Sequence, residues 1–387
     1  MKMNTEKDKK IRGVVLTLLG GILWGFCGSC GQFLFQFKEV NSDWLVPIRL
    51  TGAGLLILIV LWIKERKKIF EVWKNPAGRR DILIFSLFGM MLCQYAYFTT
   101  IQYSNAVSYL MLKDIFPQNA VDLGMMSKTG IKSVLYKYFR KQEKQLYCYS
   151  DRIGCMSQAN VDYVLKHNPE ISSSKLEICP NCIEPQDMSI SPEERNELRR
   201  KYNIPLDKVV FVYGGNLGKP QGIPFIIECL KKQKKNSDAY FLIVGGGTEF
   251  EKLQEFFNTE KPENMKLMSK LPKDDYDRMV AACDVGLIFL DHRFTIPNFP
   301  SRLLSYMQAK LPVLAATDPN TDIGEVISQG GFGWWCESND TEAFSELVEK
   351  ALEADLNEMK TNETKYLMKN YTANMTYKNI NKSIGWK

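Results

Sequence analysis

Two glycine-rich turns carry the residues best suited to chemistry. The first reads YGGNLGKPQGIPFI and holds Gly214, Gly215, Gly218 and Gly222 with a cation at Lys219. Such glycines let main-chain amides approach an anion closely, and the helix expected next presents its positive end, which suits a diphosphate. The second turn, VGGGTEFEKL, sets Gly245, Gly246 and Gly247 between an expected strand and an expected helix; it permits the same approach or forms a tight turn only. A third segment, IPNFPSRLLSYMQAKLPVLAATD, brings Ser301, Arg302 and Ser305 to the start of a helix behind Pro300. Arg302 can pair with a phosphate through both arms of its guanidinium, or stand exposed at a helix start. His167 and His292 are the only histidines, and neither lies at ligand spacing from the Cys179–Cys182 pair. A four-ligand zinc site is therefore not supplied, and free thiols are expected.

The elements that must position these turns follow from hydrophobic patterning. Short β-branched apolar runs at 209–213, 240–244, 265–268, 285–290 and 312–316 alternate with amphipathic helices such as 223–232 and 249–257. Strand and helix alternating in this way predict a parallel, doubly wound sheet, with ligand beyond the carboxyl ends of its strands. Further strands are expected near 108–113, 152–156 and 176–179. Residues 128–146 predict a basic amphipathic helix, with Lys128, Lys132, Lys137, Arg140, Lys141 and Lys144 beside Leu135, Tyr136, Tyr138 and Phe139. That helix is either a solvated surface or a contact with anionic lipid.

The first 107 residues follow different rules. The whole chain has 387 residues, 50 Lys/Arg against 44 Asp/Glu, and a formal charge of +6; its mean hydropathy of −0.22 averages two unlike parts. Residues 1–107 hold 14 of the basic and 7 of the acidic residues together with long uncharged stretches. Spans are expected at 13–37, at 44–63 with Arg49 near one end, and at 82–101, while the apolar piece 103–112 is too short to cross. Gly21 and Gly25 allow close helix approach. Basic residues before the first span and between the second and third predict a cytoplasmic N-terminus. Three crossings would leave everything after residue 101 outside the cytoplasm. The composition excludes a disordered chain, a collagen-like repeat and a small disulfide scaffold. The positive excess lies beside the apolar stretches, so nucleic acid is not an expected partner.

Two family resemblances fit this division. TLLGGILWGFCGSCGQFLFQ, WLVPIRLTGAGLLIL and FGMMLCQYAYFTTIQYSNA resemble the start of an EamA-type permease of the drug/metabolite transporter superfamily, over about residues 10–107. The resemblance implies ten spans in two inverted repeats, of which three are expected here. From about Tyr109 onward, KDIFPQNAVDLG, SDRIGCMSQANVDYVL, the CPN at 179–181 and the three turns above resemble a family 4 glycosyltransferase of the GT-B fold, in family order. That resemblance implies a nucleotide-diphosphate sugar as donor substrate, no cofactor, no metal, and retaining hexosyl transfer in envelope polysaccharide synthesis. It implies donor contacts at Gly215, Asn216 and Lys219, and at Ser301, Arg302 and Ser305 near the sugar and ribose; Gly214, Gly222 and Gly246 are donor-binding candidates from the chemistry of their turns.

The sequence also departs from the family. Two glutamates separated by seven intervening residues are replaced by Pro297 and Ser305, and the usual arginine and lysine of the first turn by Asn216 and Gln221. Lys113 and Asp114 fall where relatives often carry a cleft-facing His-Asp pair, making Asp114 the one acceptor-side catalytic candidate, or else a turn aspartate. The expected architecture is therefore a membrane α-helical segment of three spans (1–107), a partial GT-B N-terminal acceptor domain (108–202) and an α/β Rossmann-like C-terminal nucleotide-sugar domain (203–387). Its expected partners are the lipid bilayer, a nucleotide sugar and a lipid-linked acceptor, in a multi-pass cell-membrane protein. Truncation of the acceptor domain predicts impaired transfer; the alternatives are a permease fragment or a fusion without function.

Overall fold

The computed structural model describes Cys30, Leu34 and residues 40–65, 75–86, 92–103, 108–131 and 133–385. It divides into two units, Met1–Ala106 and Val107–Lys387.

In the first unit, the helix Ser42–Glu65 has 24 residues, about 36 Å at 1.5 Å per residue, enough for a hydrocarbon core of roughly 30 Å. Asn41 starts it by accepting the Trp44 amide at 3.0 Å. Leu55 through Ile59, Trp62 and Ile63 remain exposed along its length. Among the described residues this is the one helix long and apolar enough to cross a membrane. The helix Leu92–Tyr103 joins it through the Tyr95 hydroxyl, which donates to Asp43 at 2.7 Å. The expected span at 13–37 lies outside the described residues apart from Cys30 and Leu34. Described parts of the span expected at 82–101 fall in the helices Pro76–Ile84 and Leu92–Tyr103.

The second unit contains two parallel sheets. The smaller is β1 (Tyr109–Leu112), β2 (Arg152–Cys155) and β3 (Leu176–Ile178), in that order. Its Leu112, Ile153 and Cys155 meet Tyr147, Val164 and Ile171, and the core is completed by Leu290, Phe294 and Ile296 from a distant loop. On the opposite face the Tyr109 ring passes over Gly154 to donate to Glu177 at 2.5 Å. A Cβ on Gly154 would lie 2.4 Å from that hydroxyl, so the crossing requires glycine.

The larger sheet comprises β4 (Val209–Asn216), β5 (Ala239–Gly246), β6 (Met265–Ser269), β7 (Val285–Phe289), β8 (Val313–Thr317) and β9 (Gly333–Glu337). Its order is β6-β5-β4-β7-β8-β9, so the direction of winding reverses between β4 and β7. Both faces are covered, as parallel sheets require. Val210, Val212, Leu242 and Val244 pack on one side with Met279 and Leu303, and Phe211, Phe241 and Ile243 on the other with Ile226 and Phe344. The edge strand β9 has no counterpart among the strands expected from patterning. Beneath the sheet, the buried Arg199 donates to Ala282 O at 2.9 Å, Pro205 O at 2.9 Å, Lys208 O at 3.0 Å and Asp284 at 2.5 Å. Asp284 also accepts the Val210 amide at 2.8 Å, which fixes the start of β4 against β7.

The basic helix expected at 128–146 forms at Ser133–Tyr149. Of the apolar residues named beside its cations, Tyr136 and Phe139 are half-buried, while Leu135 and Tyr138 are exposed. Phe139 meets Phe116 edge-on at 4.9 Å.

Candidate functional site

At the carboxyl ends of β4 and β5 the two glycine turns come into register, Gly215 opposite Gly245 and Asn216 opposite Gly246. Neither Gly215 nor Gly245 tolerates a side chain. A Cβ on Gly245 would lie 2.0 Å from Gly215 O, and one on Gly215 would lie 2.0 Å from Arg302 Nη2. Gly215 also has φ of +133°, a conformation that disfavours any L side chain. Arg302 opens the helix Arg302–Gln308 and runs under the first turn, its guanidinium carbon 4.2 Å from the centroid of the Tyr213 ring. Such stacking holds the planar cation in one orientation.

Tyrosines brace this arrangement. The Tyr213 hydroxyl donates to Asn216 O at 2.7 Å. The buried Tyr306 hydroxyl accepts the Gly214 amide at 3.3 Å and lies 3.0 Å from Val212 O and 3.1 Å from Leu287 O, tying β4 to β7 where the winding reverses. Burial pushes the Tyr276 phenol up to about 12, and a Cβ on Gly214 would lie 1.8 Å from its oxygen. It remains a neutral hydrogen-bonding group in the wall.

Beside these turns is a pocket of about 410 Å³, lined by Gly215, Asn216, Gly246, Lys270, Lys273 and Tyr276 among others. Lys270 is exposed and, among the described residues, pairs with no carboxylate. Lys273 is bonded to Asp277 at 2.9 Å. Neither lysine is among the residues expected from the sequence. The available signal is the cationic SKLPK immediately after an expected strand, in a turn without glycine.

The remaining predicted residues are distributed as follows. Asn216 Nδ2 donates to Gln221 Oε1 at 3.1 Å, and the Gly218 amide donates to the same oxygen at 3.2 Å. These two side chains therefore close the turn on itself instead of offering charge. Lys219 is exposed in the short turn Lys219–Gln221, pairs with no carboxylate among the described residues, and does not line the pocket. Gly222, with φ of +64°, starts the helix Ile223–Gln233 and lies against Asp291, where a Cβ would be 3.4 Å from its Cα. Against the cost of burial, Arg293 at 2.7 Å holds the Asp291 carboxyl below its ordinary range. Gly246 has open space around it. Ser301 and Ser305 are exposed at the start and on the side of the Arg302 helix. Asp114 is exposed after β1, and no hydrogen bond or ion pair among the described residues links it to the others.

One further carboxylate lies at the same end of the large sheet. Asp318, directly after β8, is fully buried, and its Oδ2 has no hydrogen-bond partner among the described residues. Burial raises its pKa to about 7. Among the described residues no group of three His, Cys, Asp or Glu could hold a metal ion.

Comparison with known proteins agrees with this geometry. Residues 194–370 match the family of glycosyl transferases group 1, and residues 11–124 match the EamA-like transporter family. The chain is 26% identical over 347 residues to the probable glycosyltransferase WbjE of Pseudomonas aeruginosa, across 89% of this chain and 82% of that protein. It is 34% identical over 106 residues to the uncharacterized inner membrane transporter YicL of Salmonella typhimurium, across 27% of this chain. That match spans 35% of the transporter's length. Among solved structures, Anabaena HepE in complex with UDP and glucose superposes with a TM-score of 0.57 at 15% identity, over 76% of this chain and 75% of that one. WaaG, a glycosyltransferase involved in lipopolysaccharide biosynthesis, gives 0.54 at 16% identity, over 75% and 82%. At these identities the superpositions show the fold, which is GT-B-like. The chain thus joins an EamA-like transporter domain, residues 11–124, to a group 1 glycosyl transferase domain, residues 194–370.

Proposed function

We propose that the second unit binds a nucleoside-diphosphate sugar at the ends of β4 and β5 and transfers its hexosyl group. The observation that carries this reading is the contact of Arg302 with Gly215, a fixed cation beneath main-chain amides that no side chain obstructs. As the bond to the sugar breaks, the leaving diphosphate gains negative charge, and preorganised cations and amides at that position stabilise it. Arg302, Lys219 and Lys270 are the cations on this side, with Ser301 and Ser305 directed to sugar and ribose hydroxyls. Asp114 is the acceptor-side candidate. The UDP and glucose bound by HepE and the probable glycosyltransferase WbjE support a donor of this class.

The acceptor side, which we assign to 108–202, is small. A parallel sheet is ordinarily buried on both faces, yet Met111 on β1 and Ile178 on β3 are exposed, and the core is completed by a loop from beyond β7. We infer a shortened acceptor domain and slow transfer, because a reduced cleft orients two substrates poorly. The association of WaaG with lipopolysaccharide supports an envelope polysaccharide acceptor, lipid-linked at a membrane that the first unit spans several times. The match to YicL favours a second reading, a permease fragment that works only as an oligomer; uptake into proteoliposomes tests it.

The test is donor cleavage by the full chain in lipid nanodiscs, following UDP release from labelled UDP-hexoses. Release should fall by about tenfold or more in Gly215→Ala, where the added methyl displaces Arg302 from the turn. Equal release by wild type and variant, or none from any nucleoside-diphosphate hexose, would overturn the reading.

A further inference from the structure

β4 pairs with β5 along its whole length, from Val209 to Asn216, but with β7 only at Phe211 opposite Val285 and Val212 opposite Gly286. Because Gly286 N donates the other way, to Pro312 O at 2.9 Å, the next rung of a parallel ladder between β4 and β7 would join Gly214 N to Leu287 O. The register stops short of that rung. The Tyr306 hydroxyl stands there instead, accepting the Gly214 amide at 3.3 Å, with Leu287 O at 3.1 Å and Val212 O at 3.0 Å competing for its one proton. An oxygen inserted in a rung holds the two main chains about 2 Å farther apart than a direct bond does. The crevice at the reversal of winding therefore opens on a side chain and not on a bare strand edge.

The neighbouring residues admit this insertion. A Cβ on Gly286 would lie 2.5 Å from carbons of the Tyr306 ring, so β7 lets the ring across only because it has no side chain at that position. Tyr306 is fully buried, and burial pushes its phenol well above the ordinary value, which keeps the proton on it. Tyr306 also lies one turn after Arg302 in the helix Arg302–Gln308, and residues four apart share a helix face. The face that carries the hydroxyl into the rung thus carries the guanidinium onto the Tyr213 ring and beneath Gly215. Two successive contacts, one polar and one stacked, fix the register of this helix on the end of β4.

We propose that Tyr306 is a positioning residue of the donor site: its hydroxyl, inserted between Gly214 and Leu287, sets the opening between β4 and β7 and seats Arg302 beneath the first glycine turn. Being fully buried, it acts through these groups and touches no ligand itself. The inference deepens the donor reading and rests on it for the identity of the ligand, whereas the seating of Arg302 is a property of the free protein and is measured without ligand.

The test uses the full chain in lipid nanodiscs, with Tyr306→Phe, which removes the oxygen and keeps the ring, and Gly286→Ala, whose methyl displaces the ring and keeps the oxygen. Labelling with the arginine reagent phenylglyoxal, read by peptide mass spectrometry without ligand, should be at least about threefold faster at Arg302 in both variants than in wild type. The fully buried Arg199 should stay unlabelled, which shows that the fold is retained. Titration with UDP should show affinity lowered about fivefold or more in Tyr306→Phe, with uridine affinity unchanged. Arg302 labelling at the wild-type rate in both variants, labelling that rises only together with Arg199, or equal loss of UDP and uridine affinity would each overturn the proposal. If wild type itself binds no UDP, the donor reading fails, and the Arg302 labelling alone decides whether Tyr306 seats that residue.

Discussion

Asp318 illustrates how burial alone changes what a residue can do. Its carboxyl keeps a proton in the fold up to about pH 7, against an ordinary value of 3.8. The folded state therefore binds one more proton than the unfolded chain between those limits, and this group's contribution to stability falls as pH rises through that window. Asp318→Asn should match wild type near pH 4 and be the more stable of the two at pH 8. The gap is on the order of 4 kcal/mol at most, because each tenfold change in proton affinity is worth about 1.4 kcal/mol. Melting followed by intrinsic fluorescence across that range checks it; parallel pH profiles for the two proteins would contradict it. At the same scale, the Asn216–Gln221 bond explains why two polar residues in the family's cation positions need not face a ligand. The sequence reveals that the charges are absent. Only the fold reveals that Lys270 borders the same pocket.

At the scale of elements, the strands β4 to β8 are legible because their runs of Val, Ile, Phe and Leu lie between turn residues at regular spacing. β9 is not, since Trp334 and Trp335 stand among glycines and give no run. Its seat depends on contact with β8, where Gly333 lies so close to Val313 O that a Cβ would be 2.0 Å away. The basic helix is recognisable, but the direction of Tyr136 and Phe139 is not, because periodicity fixes an arc only once the partner surface is known. Arg199 is equally silent in the sequence. It stands as one more cation in ELRRKYN, yet it is fully buried and joins the helix Pro192–Lys201 to β4 and β7 through four acceptors. Arg199→Ala leaves Asp284 and three carbonyls without that donor and should cost about 3 to 5 kcal/mol. Chemical denaturation of the full chain, followed in detergent, measures the loss; a cost below about 1 kcal/mol would show that Arg195, 2.7 Å from Asp284, suffices.

Over the whole molecule, two ancestries share one chain. The EamA-like match ends at residue 124, past the boundary between the units and beyond β1, so the segment from 107 to 124 resembles a transporter in sequence while forming a strand and the short helix Gln118–Asp122 in the second unit. That helix is secured by Asp122, which accepts the Thr295 amide at 2.8 Å. The loop carrying Thr295 also supplies Phe294 and Ile296 to the small sheet's core, so the halves carrying the two sheets are packed together within this unit. The pocket proposed for the donor has its glycine turns, its bracing tyrosines and Lys270 in place. The most direct measurement is calorimetric titration of the full chain with UDP and, separately, with uridine. Saturable UDP binding that weakens about tenfold in Lys270→Ala, with uridine affinity unchanged, is the predicted result. Absence of saturable heat with UDP would contradict the account at its centre.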